Sequence, residues 1–184
     1  MYLNKFVSSF SSKVSIFLFS AFIIICSTLQ TTDLQAGGWG KTSEVFERDG
    51  IVWNEVYIKL EGLNVLASIP NYSSGIFQNG IVALEGGIEE SGYVIETTYN
   101  SGFKPPKSKK EFIRMIQEAN PEYVVKGINS KKQGSKYAVD LIPINQELTA
   151  YWRFLSTKDR LVKMGTDDAH ENRRLSFFDS LHIE

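Results

Sequence analysis

Cysteine and histidine are scarce in this chain of 184 residues, which has one cysteine, Cys26, and two histidines, His170 and His182. Cys26 lies in an apolar N-terminal stretch, so the rest of the chain has no disulfide, no thiol nucleophile and no thiolate ligand for a metal. A G-x-S-x-G nucleophile motif and a glycine-rich phosphate loop are both absent from the sequence. We therefore predict no catalytic residue and no cofactor.

The chain also lacks an excess of charge of either sign. It has 20 basic and 21 acidic residues, a formal net charge of −1. A general nucleic-acid-binding protein is usually far more basic, so we predict no nucleic-acid partner. Hydrophobic residues make up 42% and charged residues 22%, which is ordinary for a globular protein and excludes a collagen-like or wholly disordered chain. The length fits one domain, or at most two small ones.

Residues 1–36 differ in composition from the rest of the chain. Lys5 and Lys13 are the only charged residues before Asp33, and an uncharged, mostly apolar run of 13 residues covers 14–26. A transmembrane helix needs about 20 apolar residues, whereas the core of a signal peptide needs about 7–15. We predict that residues 1–36 are a signal peptide, cleaved between Ala36 and Gly37.

The sequence has two alternatives to cleavage after Ala36. Residues 14–29 could anchor the uncleaved chain in the inner membrane, because the polar stretch before Ala36 is long for a cleavage region. Cys26 could be lipidated, although Ile25 stands where such sites usually have a smaller residue. Export of a chain without disulfides favours a bacterial envelope, so we predict a periplasmic or cell-envelope location.

Downstream of the signal segment, the pattern predicts a flexible lead-in over 37–50 and a single α+β domain over 51–184. Alternation of apolar and polar residues indicates strands joined mostly by short turns, and hence a mainly antiparallel, twisted sheet flanked by helices. The predicted strands cover 52–60, 63–69, 80–84, 93–99, 122–128, 136–144, 148–155 and 160–164, with a short one at 182–184.

Two helices complete the prediction. Ser108 and Glu111 form a capping box that begins a helix over 108–120. Its apolar side chains recur at helical spacing; they are Phe112, Met115, Ile116 and Ala119. A second helix is predicted over 168–181, with Asp167 or Asp168 as its cap and a buried side that contains Leu175, Phe178 and Leu181.

Three features of this layout resemble the PsbP-like superfold, which includes PsbP, the Ran-binding Mog family and bacterial DcrB-type exported proteins. They are the 65–70 strand that ends in proline, the central amphipathic helix, and the closing segment 175–183 with its sequence LSFFDSLHI. The resemblance covers about residues 51–184. It implies a PsbP-like fold and a non-enzymatic binding or assembly module, and it brings no catalytic residues with it.

The spacing of Asp167, His170 and Glu171 suits a metal site. On a helix, positions i, i+3 and i+4 share one face, and metals bind to such groups. This interpretation predicts, as an alternative, an exported metal-dependent enzyme. We favour the other interpretation of the same residues, the acidic first turn of a solvated helix, and assign no metal ligand.

Charge is segregated along the sequence. The segments 104–114 and 126–136 are rich in lysine, whereas 85–96 has four glutamates and no basic residue. Such segregation can steer an oppositely charged partner. We predict an exported envelope protein that acts as a non-enzymatic binding or assembly module for a protein or an anionic membrane surface, with a purely structural envelope protein as an alternative. The candidate partner-binding residues are Lys107, Lys109, Lys110, Lys131 and Lys132.

Overall fold

The structure is a computed structural model, and it describes residues 37–145 and 147–184. The predicted signal peptide 1–36, with Ala36 at its cleavage point, and the alternative anchor 14–29 lie outside the described residues. Within the described ranges, no helix combines the length and the apolar composition that a bilayer crossing requires.

The described chain is mostly strand, with two short α-helices, and all its strand pairs are antiparallel. This confirms the predicted α+β class with a mainly antiparallel sheet. The strands are β1 (Gly38–Arg48), β2 (Ile51–Leu60), β3 (Leu63–Pro70), β4 (Ser74–Gln78), β5 (Ile81–Ile88), β6 (Ser91–Thr98), β7 (Tyr123–Gly127), β8 (Tyr137–Pro143), β9 (Tyr151–Ser156), β10 (Leu161–Thr166) and β11 (His182–Ile183). The helices are α1 (Lys109–Ala119) and α2 (Glu171–Asp179), and a 3₁₀ turn covers Ser130–Gln133.

The strands form two sheets that share one core. The smaller sheet has the order β1-β2-β3-β11, and the larger has the order β4-β5-β6-β10-β9-β8-β7. Apolar side chains alternate along the strands, as a sheet with one buried face requires. The shared core combines Ile58, Val65 and Ile69 of the smaller sheet with Val82, Ile95 and Met164 of the larger sheet and Phe177 of α2.

A second core lies between α1 and the larger sheet. Phe112 and Ile116, one turn apart on α1, are fully buried against Val139, Leu141 and Phe154 of β8 and β9. The apolar stripe predicted for this helix therefore faces the sheet, which is how an amphipathic helix gains most of its stability.

Residues 37–50 were predicted to be a flexible lead-in, and that prediction is wrong, because β1 covers most of them. The strand exists because Asp49-Gly50 closes a tight hairpin with β2. Both residues have positive φ, 55° and 73°, as a two-residue turn of this kind requires. The strand β4 was not predicted either, since Ser74-Gly75 has the composition of a loop. Gly75 is needed there because a Cβ atom would lie 2.7 Å from the Trp39 ring.

The N-terminus of α1 has the predicted cap. Ser108 Oγ accepts a hydrogen bond from the backbone N–H of Glu111 at 3.2 Å. The Glu111 carboxylate turns back and accepts from the backbone N–H of Lys107 at 2.9 Å. Two donors that the helix itself cannot satisfy are thus paired, and the start of α1 is fixed.

We expect the Ser108→Ala variant to lower the free energy of unfolding by about 0.5–2 kcal/mol, because it removes the side-chain acceptor of the cap. Urea denaturation monitored by circular dichroism measures the change. Ser101→Ala, in an exposed loop, is the matched control and should leave stability unchanged. Equal stability of the two variants would contradict a role for the cap.

Helix α1 also closes the free edge of β7. The Gln117 side chain donates from Nε2 to the Tyr123 carbonyl at 2.7 Å, and its Oε1 accepts from the Val125 N–H at 3.1 Å. These are backbone groups that a further strand would use for pairing. The side chains of Lys109 and Ile113 also lie against the edge at Gly127, so this edge of the larger sheet is not open to another chain.

Candidate functional site

The two lysine-rich segments lie together in the fold. Lys109 Nζ donates to the Ile128 carbonyl at 2.6 Å, and the Tyr137 hydroxyl donates to the Lys107 carbonyl at 2.9 Å. These contacts join the start of α1 to the connection between β7 and β8. We call this region the basic surface and define it by the five predicted lysines, all of which are exposed: Lys107, Lys109, Lys110, Lys131 and Lys132.

The charge of the basic surface is not neutralised within the fold. None of its five ammonium groups takes part in an ion pair among residues 37–145 and 147–184. Glu111 is close by in sequence, but its carboxylate is engaged by the Lys107 N–H. An exposed group of like charges without counter-charges attracts anions and raises the rate at which they arrive.

The proposed metal face does not form. Helix α2 begins at Glu171, so Asp167 and His170 precede it and cannot share a helical face with Glu171. Asp167 instead accepts a hydrogen bond from the Gly92 N–H at 2.7 Å. In the described part of the chain, no three His, Cys, Asp or Glu side chains gather as metal ligands do. The predicted cap is also wrong, because His170 is the N-cap residue and has no side-chain cap hydrogen bond.

Asp168, the neighbour of these residues, is fully buried and holds the start of α2 in place. It accepts hydrogen bonds from the Tyr93 hydroxyl and, at 2.8 Å, from the His170 N–H. The Arg173 guanidinium lies 2.8 Å from it as an ion pair. Burial opposes ionisation, but the hydrogen bonds from Tyr93, Arg173 and His170 and the charge of Arg173 outweigh it and lower the pKa of Asp168. Its acceptor atoms are used within the fold.

Arg153 of β9 is also a buried charged residue, with a side chain that is 4% exposed. It contacts Asp140 through Nε at 2.7 Å and Nη2 at 3.0 Å, and Asp179 of α2 through Nη1 at 2.8 Å. Burial opposes its charge, but the hydrogen bonds and negative charges of the two aspartates prevail and raise the pKa of Arg153. The cluster joins α2 to the larger sheet.

A groove with apolar and charged walls separates the β1–β2 hairpin from α2, and we call it the hairpin groove. Its volume is about 610 Å³. Phe46 lies opposite Trp53 in the hairpin register, and the two rings stack with centroids 6.4 Å apart. The α2 wall is one face of the helix, with spacings i, i+3, i+4 and i+7. The wall consists of Asn172, Leu175, Ser176 and Asp179.

Sequence reasoning missed this groove. Leu175 was predicted to be buried, and that prediction is wrong, because its side chain is 43% exposed on the groove wall. The helix is shorter than predicted, but Phe178 and Leu181 are buried as predicted, and Phe177 is buried beside them. The one local indication was Asp49-Gly50, a dipeptide typical of tight hairpin turns, which follows an apolar pair at Val45 and Phe46.

No protein-family model, curated protein or solved structure matches this chain.

The acidic segment 85–96 does not form a surface of free carboxylates. Glu96 is buried and pairs with Lys163 on the neighbouring strand. Glu85 is half-buried, and burial together with the charge of Glu96 raises its pKa. Only Glu89 and Glu90, at the turn between β5 and β6, are fully exposed. The charge segregation seen in the sequence therefore produces a basic surface without an equally extensive acidic one.

Proposed function

We propose that this protein is a non-enzymatic binding or assembly module of a bacterial cell envelope, and that it docks an acidic partner through the basic surface. The observation that carries the proposal is the meeting of two lysine-rich segments, held together at Lys109 and Ile128. No carboxylate of the described residues forms an ion pair with the five ammonium groups of the basic surface. Export is the part of the proposal that rests on the composition of residues 1–36.

A PsbP-like fold is part of the same proposal. Its support is the sequence resemblance together with the α+β arrangement of antiparallel sheets and two helices. The position of α1 after the first six strands agrees with the central amphipathic helix on which the resemblance rests.

The buried charges also support a binding role. Asp168 and Arg153 are the kind of buried, shifted groups that often mark an active site. Here their partners are other groups of the fold, and each links α2 to the strands. Their chemistry is therefore that of structural ion pairs.

Reversing the charge of Lys110, Lys131 and Lys132 to glutamate should slow association with the partner by about tenfold or more at low salt, because the basic surface steers anionic groups. The difference should shrink as salt is added, since screening shortens the range of the field. Lys109 is left unchanged because it packs against Gly127. The control reverses three exposed lysines elsewhere on the molecule: Lys41, Lys59 and Lys158.

The partner is sought in two ways with the full chain. Crosslinking in the native envelope captures a protein partner, and vesicles with anionic or only zwitterionic lipids test a membrane partner. Association with either one, slowed by the reversal and not by the control, supports the proposal. Equal rates for the two variants reject the basic surface as the docking site. Binding to neither a protein nor an anionic vesicle favours the purely structural alternative.

A further inference from the structure

The part of β1 next to its turn with β2, Val45–Arg48, is an open strand edge. The strand lies at the end of the smaller sheet, with β2 on one side and no strand on the other among the described residues. By contrast, Gln117 covers the edge of β7, and the Ser68 N–H of β3, beyond the end of β11, is bonded to Ser180 Oγ at 2.9 Å. An open edge that exposes apolar residues is a template for pairing with another chain.

The backbone of this edge has a definite hydrogen-bonding pattern. Arg48 and Ile51 close the two-residue turn, and Phe46 lies opposite Trp53 two positions further along. Because antiparallel pairs alternate, the N–H and C=O groups of Phe46 and Arg48 face β2. Those of Val45 and Glu47 face away from it and are available for pairing with an incoming strand.

The side chains of the edge are self-complementary. When a second β1 strand is placed antiparallel with Phe46 opposite Phe46, Val45 lies opposite Glu47 and their outward backbone groups form the hydrogen bonds. β1 is regular over Val45–Arg48 and has a bulge between Lys41 and Val45. In the same register Arg48 faces the end of that bulge and lies beside Glu44 of the second copy, and the two-fold axis repeats this ion pair. Glu44 and Arg48 are both exposed, and neither takes part in an ion pair within the residues described.

The hairpin groove leaves room beside this edge. Phe46 is 40% exposed and Leu175 is 43% exposed on opposite walls of the groove. The face of the Phe46 ring that does not stack on Trp53 is therefore open to solvent. Trp53 is only 2% exposed, yet its indole N–H has no hydrogen-bond partner in the described chain. The exposed Phe46 and Leu175 side chains and the unpaired indole N–H indicate a site that the single chain leaves incomplete.

We propose that two copies of this protein associate through antiparallel pairing of their β1 strands about Phe46, with Arg48 of each copy paired to Glu44 of the other. The interface is isologous, so each contact occurs twice. The smaller sheet then continues across the two-fold axis, and the two Phe46 side chains lie side by side on one face of it. The association surface is separate from the basic surface, so the proposed dimer can be tested independently of the proposed docking.

Sedimentation equilibrium of the full chain over a range of concentrations tests the pairing. We expect a monomer–dimer equilibrium. Arg48→Glu and Glu44→Arg should each raise the dimer dissociation constant by about tenfold or more, because each change places two like charges opposite each other twice. The double variant Glu44→Arg/Arg48→Glu should return it to within about threefold of the original value. Lys59→Glu, a reversal at the far end of the same sheet, is the control and should have no effect.

Amide hydrogen exchange supplies the second readout. The amides of Val45 and Glu47 should exchange more slowly as the protein concentration rises, whereas those of Phe46 and Arg48 should change little. Circular dichroism melting verifies that each variant is folded. A monomer at every concentration up to about 1 mM would overturn the proposal. A dimer whose dissociation constant is unchanged by the two single reversals would also overturn it. The same holds for a dimer in which the Val45 and Glu47 amides exchange as fast as in the monomer.

Discussion

Replacing Arg153 by methionine is expected to lower the free energy of unfolding by about 3 kcal/mol, one of the two largest effects that the structure predicts. The variant keeps an apolar side chain of similar length but leaves Asp140 without its counter-charge. Removing one member of a buried ion pair generally costs about 3–5 kcal/mol. The lower end of that range applies because the Asp140 side chain is 21% exposed and Asp179 is 64% exposed, so water solvates part of both charges.

The double variant Arg153→Met/Asp140→Asn separates the effect of leaving the Asp140 carboxylate unpaired from the loss of the Arg153 contacts themselves. If the unpaired Asp140 carboxylate accounts for most of it, the double variant should be more stable than Arg153→Met alone. Urea denaturation at pH 7 gives all the values that the cycle requires. Simple additivity of the two single losses would show that the two residues do not act as a pair.

Replacing Asp168 by asparagine should lower the free energy of unfolding at pH 7 by about 2–3 kcal/mol, because the hydrogen bonds to a charged acceptor are weakened. The effect should depend on pH. The pKa of Asp168 is lower in the folded state than in the unfolded chain, where an aspartate has a value of about 3.9. At pH values near and between these two pKa values, the unfolded state therefore binds more protons than the folded state. The free energy of unfolding consequently falls with decreasing pH.

The stabilisation from Asp168 is complete above about pH 5 and is lost as the pH falls through the lowered pKa of the folded state. Urea denaturation between pH 7 and pH 3 should show a shallower decline for Asp168→Asn than for the original chain. Glu171→Gln, an exposed carboxylate near the same end of α2, is the control and should follow the original chain. Parallel curves for the original chain and Asp168→Asn would contradict the assignment.

Features that depend on neighbouring residues could be predicted from the sequence. Helix α1 was located because its cap at Ser108 and its apolar stripe lie within a dozen residues. The β2–β3 hairpin was likewise predicted, because only Glu61 and Gly62 separate the predicted strands 52–60 and 63–69. Strand β1 was missed because its glycine-rich and polar composition resembles a loop, and only its pairing with β2 makes it a strand.

Features that depend on distant contacts could be predicted only in part. The lysines of the basic surface were identified by composition, but their proximity depends on the contact of Lys109 with Ile128. The hairpin groove combines Phe46 with Leu175, which lie at opposite ends of the described chain. No local pattern connects such residues, because the groove lies between elements that are far apart in the sequence.

The covering of β7 by Gln117 has a consequence for the order of events during folding. The β7–β8 hairpin has its own ladder of hydrogen bonds, but the outward groups of Tyr123 and Val125 are paired only after α1 has docked. Until then the hairpin has an unpaired strand edge beside the exposed side chains of Val124 and Ile142, and such an edge can pair with another chain. Docking of α1 therefore sets how long a newly made chain remains prone to aggregation.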